Sequence, residues 1–222
     1  MATTDNTLPP NPSATTDAAA DQPFLTPQRI RALGIAGAAF LVVALVVWFV
    51  ITAGRRKEAY AAQALEQARD AAAQANFGVA VQGFTRVVST FGGTPAAFEA
   101  NLGIAQTHLV AGQNELAVNS LTAFLKTNPP PEYAASGNAL LGTAYENLDK
   151  FAEAEAAYRK SADMATMDHL KAGALLDAGR AARLAKKPDE AKAIYNEIIA
   201  KYPKTGAITE AQVRLAEMST GY

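Results

Sequence analysis

Apolar and polar positions follow three regimes along the chain. From Ala32 to Gly54, ALGIAGAAFLVVALVVWFVITAG, 23 residues pass without a charge, between Arg29 and Arg31 on one side and Arg55, Arg56 and Lys57 on the other. As a helix this stretch measures about 34 Å at roughly 1.5 Å per residue, enough to cross a hydrocarbon core of about 30 Å. It has no polar stripe such as a soluble amphipathic helix needs, so the pattern predicts one membrane span. Before it, residues 1–28 are rich in Thr, Ala, Pro and Asp and show no periodicity. Such a segment buries too little to offset its chain entropy, and disorder is the expectation. A cleaved signal peptide would have a basic start, a shorter apolar run and a small-x-small site. The acidic start and long run predict an uncleaved signal-anchor over 29–56.

After the span, apolar and small positions recur every 37 residues. Ala80, Ala117, Ala154 and Ala191 form one row. Phe84, Leu121, Tyr158 and Tyr195 follow a helical turn later, then Val88, Leu125, Ala162 and Ile199. An earlier row holds Ala68, Ala105, Gly142, Gly179 and Ala216. Each unit reads as two amphipathic helices joined by the short turns QANFG, AGQNE, NLDKF and AKKPD, with FGGTP, NPPPE, ATMD and YPKTG between units. Glycine and proline in these breaks do not sustain a helix. The prediction is an all-α solenoid over 57–222, with units near 57–91, 95–127, 131–164 and 168–202 and a final helix at 206–219. No unit buries its apolar face alone, so stacking is obligatory.

Charge is nearly balanced, with 20 Lys+Arg against 21 Asp+Glu, and offers no footprint for nucleic acid. With no cysteine there are no disulfides and no thiolate chemistry. No Walker-type loop, GxGxxG or GxSxG elbow is present. His108 and His169 fall in different units, Phe91-Gly92-Gly93 reads as a helix stop, and Glu153 and Glu155 read as solvated surface. No enzyme, cofactor, metal or small-molecule substrate is expected.

The third unit, LLGTAYENLDKFAEAEAAYRKSA (140–162), resembles a tetratricopeptide repeat. Leu141, Gly142 and Tyr145 match that family's first helix, Phe151, Ala154 and Tyr158 its second, and Pro129 and Pro203 its closing proline. Departures are a missing first-helix tryptophan, Ala for the repeat glycine in the first two units, and a longer period. The layout of tail, span and repeats resembles the bacterial inner-membrane proteins classed as ancillary subunits of the Sec translocon. Their repeat domain is shared with the periplasmic cell-division coordinator of the Tol-Pal system, which AKAIYNEIIAKYPKTGAITEAQVRLAEM (191–218) is similar to. The resemblance implies a single-pass inner-membrane protein with periplasmic repeats, whereas the basic count flanking the span leans slightly toward a cytoplasmic repeat domain.

By the same resemblance, first helices line a groove, with Arg69, Gln106, Thr143 and Arg180 pointing into it. Leu109, Glu146 and Arg183 lie a turn beyond, followed by Val110, Asn147 and Leu184. This mixture suits extended polypeptide and lacks the Lys/Asn carboxylate clamp of chaperone-binding repeat domains. The expected role is a non-catalytic, chaperone-like adaptor whose partners are emerging chains, Sec translocon subunits or periplasmic chaperones. A scaffold for envelope assembly or division, and a cytoplasm-facing recruiter, are the alternatives.

Overall fold

The computed structural model describes residues 27–220, and the tail to residue 26 lies outside the described residues. Among the described residues there are nine α-helices and no strand: α1 (Pro27–Ala73), α2 (Phe77–Phe91), α3 (Pro95–Val110), α4 (Asn114–Leu125), α5 (Pro131–Glu146), α6 (Phe151–Met164), α7 (Asp168–Leu184), α8 (Pro188–Lys201) and α9 (Ala207–Ser219). The chain divides after Ala53 into two units.

In the first unit, α1 is long and apolar enough to cross a membrane. Its residues from Ile30 to Ile51 are exposed on every side wherever their side chains are described. The Thr52 hydroxyl donates to the Trp48 carbonyl at 2.7 Å, so this polar side chain is satisfied within its own helix. Helical backbone continues without a break through Arg55, Arg56 and Lys57 to Ala73.

In the second unit, the rest of α1 pairs with α2, followed by α3 with α4, α5 with α6 and α7 with α8, closed by α9. Ala80, Ala117, Ala154 and Ala191 are fully buried, and Phe84, Leu121, Tyr158 and Tyr195 nearly so. The third row is displaced from its expected place. Val88, Leu125 and Ile199 are half-buried and only Ala162 of that row is buried, whereas one position earlier Val87, Phe124, Ser161 and Ile198 are all buried. At 100° per residue, seven steps from the alanine row return almost to the starting direction, whereas eight overshoot by most of a right angle.

The inner first helices α3, α5 and α7 are small on two sides because each lies between two second helices. One side is the expected row of Ala68, Ala105, Gly142 and Gly179. The other is a row that the sequence reading missed, Ala100, Gly137, Ala174 and Ala211, all buried. Gly137 faces Leu125 and Phe124 of the preceding α4. Ala216, the expected fifth member of the first row, is exposed because no helix follows α9 among the described residues.

Residue size in the first row is matched to its partner. A Cβ on Gly142 would lie 2.6 Å from the Tyr158 ring, and one on Gly179 would lie 2.5 Å from Tyr195. Where the second helix carries Leu121, the first carries Ala105. Phe84 sits opposite Ala68 in the series but leans onto Gly103 of the next unit, whose added Cβ would come within 2.8 Å of it. Between α3, α4 and α5 the space is filled by aromatics, with Phe98 5.1 Å from Tyr133 and 6.5 Å from Phe124, centroid to centroid.

Turns inside units share one backbone device. Ala75, Gly112, Asp149 and Lys186 all take positive φ, between 56° and 72°, at the 37-residue period. The next residue's N–H reaches back five positions in each case, as in Asn76 to Ala71 and Lys187 to Ala182. This is a Schellman closure, which favours glycine at the left-handed position. Only Gly112 meets that preference.

Gly179→Ala is expected to destabilise the domain by about 1–3 kcal/mol through overpacking, measured by urea unfolding. Adding Tyr195→Leu, which copies the Ala105–Leu121 pair, restores most of that loss. Lys186→Gly is expected to raise stability by about 0.5 kcal/mol, since relief of left-handed strain exceeds the entropy cost of glycine.

Candidate functional site

First helices lie side by side, α3 against α5 and α7 against α9, while α5 and α7 stand further apart. The anticipated groove residues sit on these helices or just beyond them, and most are engaged with other side chains. Arg69 on α1 pairs with Glu66 and reaches Glu99 on α3. Gln106 is exposed on α3 beside a hollow of about 170 Å³ that also takes in Arg69, Phe77 and Val110. Leu109 is half-buried and Val110 is exposed.

Thr143, Glu146 and Arg180 are brought together. The Tyr158 hydroxyl donates to Glu146 Oε2 at 2.9 Å and lies 3.2 Å from Thr143 Oγ1. Arg180 donates through Nε to Glu146 Oε1 at 2.9 Å, through Nη2 to Glu146 Oε2 at 3.0 Å and through Nη1 to Asp177 at 2.7 Å. The fork of two bonds to one carboxylate joins α5 to α7 across neighbouring units. Burial would raise the Glu146 carboxyl, but hydrogen bonds from Arg180 and Tyr158 outweigh it and hold it below the usual carboxylate range. For Asp177 burial prevails over Arg180, and its carboxyl is pushed up. Burial, with the Glu146 charge, also keeps the Tyr158 hydroxyl protonated well above its ordinary range. Arg183 reaches Glu217 on α9 at 3.4 Å, and Asn147 donates to Asn114 at 3.1 Å. Arg69, Glu146, Arg180 and Arg183 are thus clasps between first helices of neighbouring units as much as groups presented to solvent. Leu184 is exposed.

The open surface lies one to two turns toward the N-termini of α5 and α7. A hollow of about 390 Å³ separates them, lined by Ser136 and Ala139 on α5, Leu170, Gly173 and Asp177 on α7, and Met167 before it. Small side chains make its walls, and the exposed Met167 and Leu170 supply apolar surface. Sequence reasoning missed these residues, although Ser136 and Ala139 lie seven and four positions before Thr143, on the same helical face.

A second charged cluster corrects the reading of Glu153 and Glu155 as solvated. Glu153 is exposed, but Glu155 is only 4% exposed. It accepts from Arg159 at 2.7 Å and pairs with Lys187 at 3.3 Å, while Lys187 also meets Glu190 at 3.0 Å. Next to the buried Ala154, Glu155 faces the start of α8, and burial is tolerated because two cations meet it. Lys187 holds the Glu190 carboxyl down. The Phe91-Gly92-Gly93 stretch ends α2, as expected, with Gly92 at the C-cap.

Comparison with known proteins agrees with this geometry. Family models of the tetratricopeptide repeat match residues 57–130, 102–166 and 173–205. The repeat domain belongs to the tetratricopeptide-repeat family. Among solved structures, the chain is similar to a kinesin light chain of Podosopora anserina with nearly identical TPR-like repeats. That match has 18% identity and a TM-score of 0.57, covering 71% of this chain and 84% of the other. It is also similar to MamA of Desulfovibrio magneticus RS-1, at 18% identity and a TM-score of 0.50, covering 63% of this chain and 74% of that one. At such identity these likenesses show the fold alone. No curated protein sequence matches the chain. Tetratricopeptide-repeat domains are scaffolds for protein–protein interaction, and this domain is of that kind.

Arg180→Ala is expected to cost about 1 kcal/mol at neutral pH, because the pair is partly exposed. A carboxyl with a depressed folded pKa stabilises above its unfolded pKa and loses that contribution as pH falls through the folded value. The difference between wild type and Arg180→Ala should therefore shrink as pH falls below the usual carboxylate range, measured as urea midpoints at neutral and at acid pH.

Proposed function

We propose that the protein is a membrane-anchored, non-catalytic adaptor whose first-helix face holds segments of polypeptide beside the protein-translocation machinery. The supporting observation is the hollow between α5 and α7. It is open, walled by small residues and edged with apolar Met167 and Leu170, and Asp177 lies at its inner end. An extended chain fits such a surface because its side chains find apolar contact while its backbone stays hydrated. The charged clasp of Glu146 and Arg180 keeps the two helices in register without closing the hollow.

Anchoring follows from the apolar part of α1, whose exposed Leu, Val, Phe and Ile side chains call for a hydrocarbon environment. The similarity of residues 191–218 to the Sec-ancillary and Tol-Pal coordinator domain favours periplasmic repeats, in the inner membrane of a bacterium. Clients would be emerging chains, with Sec translocon subunits or periplasmic chaperones as neighbours. A second reading, with cytoplasmic repeats, rests on Arg55, Arg56 and Lys57 after the span against Arg29 and Arg31 before it.

Reporter fusions after Tyr222 separate the two. A periplasm-only reporter is expected to be active and a cytoplasm-only reporter silent, and the reverse result transfers the proposal to a cytoplasmic recruiter. A photo-crosslinking residue at Ser136 is expected to capture nascent secretory chains or translocon subunits in cells. Capture of neither, at Ser136 and at Gln106 alike, would count against the adaptor role.

A further inference from the structure

A larger hollow, of about 590 Å³, opens on a different surface, between second helices α4 and α6 over the middle of α5. Its floor is apolar, formed by Leu125, Leu141 and Met164. Lys126 and Lys160 stand at its edges, both exposed, and neither makes an ion pair with another described residue. In the floor lies Asn138, only 4% exposed. Its Nδ2 donates to the Ala134 carbonyl at 2.8 Å and touches Met164 Sδ at 3.6 Å. That carbonyl only accepts, which sets the amide orientation and turns Oδ1 the other way. No described donor meets Oδ1. Because no enclosed side-chain oxygen or nitrogen among the described residues lacks a partner, Oδ1 is not fully enclosed, and the residue that carries it lines the hollow.

The combination belongs to this junction alone. One period later the positions of Lys126, Lys160 and Asn138 are Asp163, Glu197 and Leu175, and one period earlier they are Ser89, Ala123 and Asn101. Asn101 repeats the bond to its own helix, to Ala97, but has no lysines beside it. A ligand for this surface needs apolar groups for the floor, an N–H for Asn138 Oδ1 and negative charge for two lysines. Inorganic anions carry neither the apolar groups nor the N–H.

We propose that the hollow between α4, α5 and α6 is a docking site for an acidic peptide segment of a partner protein. A backbone N–H of the peptide meets Asn138, one or two aliphatic side chains rest on Leu125, Leu141 and Met164, and flanking carboxylates face Lys126 and Lys160. The site is separate from the face between α5 and α7 and does not depend on what that face binds.

The test uses the full-length protein in detergent micelles, labelled with ¹³C-methyl methionine so that Met164 reports on the floor. One probe is a pool of hexapeptides carrying two Asp or Glu residues among Leu, Val and Phe. The other is the same pool with Asn and Gln in place of the acids. The acidic pool is expected to shift the Met164 methyl resonance saturably, with the amide pool at least about tenfold weaker. K126E/K160E should weaken the acidic pool by about tenfold or more while leaving the melting temperature nearly unchanged, since both lysines are exposed. Asn138→Leu, which copies Leu175, should weaken it independently of the lysines. No shift with millimolar acidic pool overturns the proposal, as does an equal response to the amide pool. So does binding unaffected by K126E/K160E, or a matching shift with inorganic phosphate alone.

Discussion

The repeat domain depends on the sandwiching of the inner first helices, α3, α5 and α7, between two second helices. A helix in that position has no room for large side chains on either flank. Alanine and glycine therefore form two rows along it, and bulk is supplied from outside by Phe84, Leu121, Phe124, Tyr158 and Tyr195. Close approach turns many small contacts into most of the packing energy, which is why an added methyl at Gly142 or Gly179 has nowhere to go. The tyrosines make the arrangement polar at one end. Tyr158 brings its hydroxyl through the packed layer to Glu146, tying the size match of one unit to the ion pair that joins it to the next.

That link shapes the functional surface. Charged residues on first helices spend their bonding capacity on neighbouring units, from Arg69 with Glu99 through Glu146 with Arg180 to Arg183 with Glu217. Partly exposed pairs of this kind add little stability each, but they set how first helices sit beside one another. Where α5 and α7 part, a hollow with small walls is left for something else to fill. On another surface, Asn138 and two lysines present a second chemistry at one junction only. A repeat protein can thus hold distinct partners at separate junctions without altering its frame.

The all-helical order and the buried alanine and aromatic rows could be read from the 37-residue period, because burial in a solenoid repeats with the sequence. Exact angular position was harder. Val88, Leu125 and Ile199 lie one step beyond the buried Val87, Phe124 and Ile198, and a period shows which residues are equivalent and not which face is innermost. Among site residues, Thr143, Glu146 and Arg180 do share one place, yet as a mutually bonded cluster. Ser136, Ala139, Leu170 and Gly173 escaped notice because small residues look like packing. Glu155 escaped because a carboxylate on a helix ordinarily faces water.

The sequence alone determined the membrane-length apolar run, the all-helical repeat and the near-neutral charge, since each depends only on residue type and spacing. Tertiary structure decided which of those residues remain available. Spacing cannot distinguish an arginine offered to a partner from one clasped by a glutamate 34 residues away. Nor can it show that Asn138 is buried with its oxygen not fully enclosed. Both depend on distances between helices remote in sequence, which come into being only when the units stack.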